Sequence, residues 1–226
     1  MSMVCRIVGL AADQVAMLRG KPHLASDLAR VSEHSETAPV LQRAMAGLPM
    51  GQRIAFAARR QPEEALIATA RKRLGSLGPV GPALNLGTSW HILHYAFTGR
   101  AQPIHRKPWH FFLTRRVIPL YDPADSLMNG EPLGETLGFG PAKLQDAART
   151  DEFCAFLEAQ DVRTLQERVH FRKMTWLGIH ALPFGPRDNS DFAAEVRAQV
   201  AAYFPLLRRY VSQVRAWRGG LLIWLS

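Results

Sequence analysis

Largely apolar runs open and close the chain, at residues 4–10 and 221–225, and apolar residues recur between them at helical spacing. Short apolar runs of this kind suit strands covered on both faces. Residues 11–19 read as a helix stopped by Gly20, with Pro22 just beyond. Two further helical patterns fall within 23–48, the second placing Val40, Leu41, Ala44 and Leu48 on one face. Gln61-Pro62-Glu63-Glu64 reads as a helix start, with proline in the first turn and acids at the positive end of the dipole. That helix runs to about Leu74, where Arg71, Lys72 and Arg73 meet the negative end. Residues 75–82 form a loop punctuated by glycines.

Thr88 or Ser89 caps a helix through residues 90–97, ended by Gly99. A glycine-rich connection over 129–140 leads into a short strand near 142–145, and residues 151–160 and 162–178 read as helical. Asp191 opens a long amphipathic helix whose stripe is Phe192, Val196, Val200, Tyr203, Leu207, Tyr210, Val214 and Trp217. Pro205 is expected to kink or break it. Gly219-Gly220 ends it and a terminal strand follows. The pattern predicts one compact domain over 1–226, of α/β (α+β) class. Its small mixed sheet includes both chain-terminal strands as neighbours and is flanked by several helices. Trp90, Phe97, Phe192, Leu207 and Trp217 are expected in the core.

Composition narrows the class. The chain is 47% hydrophobic and 21% charged, ordinary for a globular protein. No apolar run approaches a bilayer span, and the N-terminus lacks the features of a signal peptide, so the expected location is the cytoplasm, away from membranes. Cys5 and Cys154 have no metal-type spacing and read as small buried hydrophobes. The net charge of +9 is uneven: residues 1–130 hold 16 Lys/Arg against 8 Asp/Glu, whereas 131–226 hold 12 against 11. Arginine supplies 23 of the 28 cations. Its planar fork suits carboxylate and phosphate, so this balance points to acidic partners or to a solvated face.

Three segments carry a family resemblance: the opening Met3-Val-Cys-Arg-Ile-Val strand, Trp90-His-Ile-Leu-His-Tyr-Ala-Phe-Thr-Gly, and Gly130-Glu-Pro-Leu-Gly-Glu-Thr-Leu-Gly-Phe-Gly-Pro-Ala-Lys-Leu. With the long terminal helix, Gly-Gly and apolar strand, the chain resembles the bacterial YfbM-like family, a domain of unknown function. The likeness covers roughly 1–20, 85–99 and 123–226. It implies a compact α/β domain with a small sheet and flanking helices, and no established activity, cofactor or catalytic residue. Residues about 33–84 and 100–122 read as insertions into that domain.

Candidate chemistry is sparse. His91 and His94 lie three apart on one helix, where both rings can project to one side. A third metal ligand would have to come from His110, His180 or Glu135, and the His-Glu-x-x-His spacing is absent. The expectation is no metal and no cofactor, with one histidine in the core and the other lining a groove. Gly138-Phe139-Gly140-Pro141 lacks the pattern of a phosphate loop and reads as a turn feeding a strand. His91, His94, Tyr95, Glu131, Glu135, Phe139 and Lys143 are the candidate pocket residues, with Glu131 and Glu135 as an acid/base pair beside Lys143.

Residues 100–122 interleave basic and aromatic side chains, and Arg106, Lys107, Trp109, Arg115 and Arg116 are the partner-binding candidates. Trp and Arg are the residues that anchor protein interfaces. The leading expectation is therefore a protein that acts by binding another protein with an acidic surface, for example an immunity-type protein that blocks a toxin domain. The alternatives are an enzyme with a pocket between the His91/His94 helix and the Glu131–Lys143 loop, and nucleic-acid binding through the basic first half.

Overall fold

The C-terminal strand lies at the centre of the sheet. The computed structural model describes residues 3–47, 49–101, 122–179 and 189–226, without the side chains of 38, 41, 42, 44, 45, 54–60 and 189–191. In chain order the elements are β1 (Cys5–Leu10), α1 (Ala12–Gly20), α2 (His23–Ala46), α3 (Met50–Leu74), β2 (Leu84–Gly87), α4 (Ser89–Thr98), β3 (Glu131–Thr136), β4 (Pro141–Gln145), α5 (Ala147–Glu158), α6 (Val162–Arg168), α7 (Phe171–Trp176), α8 (Asn189–Ala216) and β5 (Gly220–Leu225). The sheet order is β2-β1-β5-β4-β3. The two terminal strands are antiparallel neighbours in a continuous register from Cys5 opposite Leu225 to Leu10 opposite Gly220. The α+β class holds, and the pairings are antiparallel throughout rather than mixed among the described residues.

Both faces of the sheet are covered. Cys5, Ile7, Leu221 and Ile223 point into one cluster with α4, α5 and α8. Val8, Leu10, Leu222 and Trp224 point into the other with α1 and α2. Period-two alternation therefore divides the apolar runs between two cores. Arg6 is the one cation in these runs, and it is buried against α2. Its Nε donates to Glu36 at 3.0 Å and its Nη1 donates to the Ser226 hydroxyl at 2.7 Å, while Trp224 Nε1 donates to Glu33 at 2.9 Å. Pairing of this kind makes a buried charge tolerable.

Two helix expectations are corrected, and of the kink or break expected at Pro205 the break does not occur. Residues 23–46 form a single helix containing Pro39, α3 begins at Met50 with Pro62 in its interior, and α8 continues through Pro205. An interior proline costs about 3 kcal/mol, and at Pro205 packing on both sides offsets it. In α8, Val196 and Val200 before Pro205 and Leu207, Val211 and Val214 after it are all buried. In α3, Ile67 and Ala70 are buried beyond Pro62, and Arg73 holds the buried Asp27 with two bonds of 2.7 Å. Of the face expected in the second part of 23–48, Val40 is 63% exposed, and the side chains of Leu41, Ala44 and Leu48 fall outside the described residues.

Two further strands appear, β2 where no element was predicted and β3 within the expected glycine-rich connection, and both are sheet edges. β3 carries Pro132, which an edge tolerates because no ladder donor is needed on its outer side. Gly134 has φ +75°, and a Cβ there would lie 2.4 Å from Ser26 Oγ and 2.9 Å from the Pro22 carbonyl. Glycine thus lets the start of α2 settle onto the edge strand, where the Glu135 amide donates to Ser26 Oγ at 2.8 Å.

Candidate functional site

α4 is apolar nearly all round and is buried from Ser89 to Phe97, as expected of a helix inside a core. Trp90 anchors it by donating Nε1–H to the Met3 carbonyl at 3.0 Å. The His91 ring stacks on Trp90, with centroids 4.6 Å apart and planes within 7°. Its Nε2 donates to the Ala101 carbonyl at 2.7 Å, tying the chain beyond α4 back to the helix. His94 is fully buried, with Nε2 3.9 Å from Asp125 Oδ1. Tyr95 is also buried, and that burial raises its phenol above the ordinary tyrosine value.

Asp125 is the buried charge of this region. Arg100 Nη2 donates to its two oxygens at 3.1 and 3.0 Å, and Asp122 lies 3.6 Å from the same nitrogen. Alongside, Gln145 Nε2 donates to the carbonyls of Ser126 at 2.7 Å and Asn129 at 3.0 Å. These contacts hold the loop after the 3₁₀ turn Pro123–Asp125 against the end of β4. Both histidines thus have structural engagements, one on a carbonyl and the other beside an ion pair. Among the described residues, no three His, Cys, Asp or Glu side chains group as a metal site would require. His110 and His180 lie outside those residues.

The candidate pocket residues fall on opposite sides of the sheet. Glu131 and Glu135 lie on the β3 face that turns Leu133 into the α1/α2 core. Glu131 accepts from Arg19 Nε at 2.8 Å, and Glu135 pairs with Arg30. Lys143 stands opposite Ile223 in the β4–β5 ladder, on the α4 side, and burial pushes its ammonium below the ordinary lysine value. Phe139 is 43% exposed at the turn between β3 and β4. The structure therefore gathers His91, His94 and Tyr95 on one helix and sets the sheet between them and the two glutamates. The partner-binding candidates Arg106, Lys107, Trp109, Arg115 and Arg116 lie outside the described residues.

A cleft that no sequence pattern indicated opens at the end of α8. It has a volume of about 240 Å³, with Gly9, Pro82, Tyr210, Gln213, Val214 and Trp217 around it. Tyr210 closes its floor: the hydroxyl accepts from the Gly9 amide at 2.9 Å and donates to the Pro82 carbonyl at 2.9 Å. Trp217, expected in the core, is 57% exposed here. It lies in the turn that follows α8, just before the chain enters β5. The buried stripe instead runs through Phe204, Leu207, Val211 and Val214, and Phe192 is half-buried, stacked on Phe171 with centroids 5.6 Å apart. The glycine in an apolar strand at position 9 was the one available signal, since such a residue marks close approach. A Cβ there would stand 2.5 Å from Val214 Cγ2 and 3.1 Å from the Trp217 ring.

Neither cysteine offers redox or nucleophilic chemistry in this setting. Both are free and buried, and burial raises each thiol above its ordinary value. Among the described residues, no helix is long and apolar enough to cross a membrane.

Fold and site together define a three-layer α+β protein with one antiparallel sheet, a structural histidine helix and an apolar cleft at the end of the long helix. The chain belongs to the DUF1877 family, a domain of unknown function, whose model matches residues 1–216. It is similar in structure to YfbM of Escherichia coli, a protein of unknown function, with a TM-score of 0.55 and 11% identity over 99% of each chain. At that identity the likeness concerns the fold. No curated protein matches the chain.

Proposed function

We propose that this protein works by binding, to a protein partner that presents an acidic surface. The observation that carries the reading is an unmatched stretch of positive charge. Residues 196–226 contain five arginines and no acidic residue. Among the described residues only Arg215 of the five forms an ion pair, with Asp151 at 3.3 Å and Glu158 at 2.9 Å. Together with the excess of cations in residues 1–130 and the basic and aromatic residues of segment 100–122, this charge balance favours a partner that is negative. A cytoplasmic immunity-type protein, covering a toxin domain, is one concrete form of the reading.

The test is affinity capture by the full chain in the native cell, followed by mass spectrometry and a salt titration of the recovered complex. A protein partner whose association slows as salt rises supports the reading, because exposed charges are screened beyond a Debye length of about 8 Å at physiological ionic strength. Replacing Arg106, Lys107, Arg115 and Arg116 by Ser is expected to weaken that capture without unfolding the domain. A nucleic acid as the main bound species, with log affinity falling by about 0.9 per neutralised phosphate in log salt, would replace the reading.

A further inference from the structure

We infer that the cleft between β1 and the end of α8 is the docking site for an apolar anchor side chain carried by an acidic segment of that partner. The inference rests on the binding function proposed above and assigns it a place. The volume of about 240 Å³ lies just below the roughly 300–1,000 Å³ of small-molecule sites. It has the scale of one or two side chains rather than of a whole ligand. Its walls are largely apolar, from Gly9, Pro82, Val214 and Trp217, and the Tyr210 hydroxyl is already engaged on both its donor and acceptor sides. An apolar group therefore displaces water here without depriving the Tyr210 hydroxyl of a partner. Tryptophan is among the residue types enriched at the hot spots of protein interfaces.

The rim identifies the chemistry of what lies around the anchor. Arg209 stands one helical turn before Gln213 on α8 and next to Tyr210, and Trp217 follows the last helical residue, Ala216. Arg218 follows Trp217 directly, and both Arg209 and Arg218 are exposed and form no ion pair among the described residues. Gln213, exposed on the cleft side, offers an amide donor and acceptor to a peptide backbone. Two cations flanking an apolar recess match carboxylates flanking an apolar residue. The same charge disfavours a second copy of this chain, which would bring arginines against arginines. A nucleic-acid strand would require a run of cations and several exposed stacking rings, whereas this recess offers the exposed Trp217, the half-buried Tyr210 and depth for a side chain.

The test uses the full chain, ¹⁵N-labelled, with defined probes. These are the capped hexapeptide Glu-Asp-Leu-Phe-Asp-Glu, its charge-reversed form Lys-Arg-Leu-Phe-Arg-Lys, its anchorless form Glu-Asp-Ser-Ser-Asp-Glu, and an oligothymidylate of equal length. The acidic anchored peptide is expected to shift the Trp217 indole and the Gly9 and Gly219 amides saturably, with Kd below about 1 mM. The charge-reversed and anchorless forms are expected to bind at least about tenfold more weakly, which tests charge steering and burial separately. Trp217→Ala, at an exposed position, should keep the thermal midpoint and lose the binding. Arg209→Glu with Arg218→Glu should reverse the preference toward the basic peptide.

No saturable shift up to about 1 mM, equal binding of the basic peptide, or stronger binding of the oligothymidylate each overturns the inference. So does concentration-dependent self-association that sedimentation detects and Trp217→Ala abolishes. If the captured partner binds Trp217→Ala and wild type equally, the cleft is not its site, while the binding function itself stands. If no protein is captured at all, the binding function falls, irrespective of the peptides.

Discussion

The Gly9 amide donates to the Tyr210 hydroxyl at 2.9 Å, joining the first strand to the long C-terminal helix across 201 positions of sequence. The same hydroxyl donates to Pro82, so one side chain holds three segments together. Tyr210→Phe should leave a strand amide and a loop carbonyl without their partner and cost about 1–3 kcal/mol. Urea denaturation measures the loss, and faster amide exchange at Gly9 locates it. Burial raises the Tyr210 phenol above the ordinary tyrosine value. Its contribution is fully present below the unfolded value near 10 and lost as pH rises through the higher folded value. Wild type should therefore lose its stability advantage over Tyr210→Phe in strongly alkaline buffer.

Packing at the sheet centre is tested by two substitutions of opposite sign. Ile223 is buried on the α8 side of the central strand, and Ile223→Ala should cost about 2–5 kcal/mol through the cavity left behind. Gly9→Ala adds a methyl group where Val214 Cγ2 stands 2.5 Å away and should cost about 1–3 kcal/mol by overpacking. Denaturant midpoints for both, at unchanged slope, check the directions. A neutral Gly9→Ala would mean that α8 moves aside easily.

Arg100 neutralises a carboxylate that is almost wholly buried. Arg100→Met should destabilise by about 3 kcal/mol, the lower end of the range for breaking such a pair, because the Arg100 side chain is itself one-third exposed. Adding Asp125→Leu should restore part of the loss, since the uncompensated charge is then removed. A double variant less stable than Arg100→Met alone would show that Asp125 acts mainly through other contacts.

Tag-free protein is expected to carry no stoichiometric transition metal by elemental analysis, because His91 Nε2 bonds a backbone carbonyl and His94 lies beside an arginine-paired aspartate. One zinc per chain, lost in His91→Ala with His94→Ala, would overturn this and favour an enzyme.

Sequence periodicity was sufficient wherever one segment's burial is set by its own pattern. The apolar runs at 4–10 and 221–225 became the paired strands β1 and β5. The helix ending at Gly99 was legible from its cap, and the Gly99 amide bonds the Tyr95 carbonyl at 2.7 Å. Wherever the deciding partner is distant in the chain, only the tertiary structure supplied the answer. β2 and β3 are strands because β1 and β4 offer them ladders, not because their residues favour extension. Pro205 remains inside a helix because buried side chains on both sides of it outweigh a lost hydrogen bond. The period of α8 placed Trp217 on the apolar stripe, but a stripe does not record where the core beneath it ends. The cleft at Gly9, Tyr210 and Trp217 exists because β1, the 81–82 loop and the last turns of α8 meet there, a convergence that no local pattern in the chain encodes.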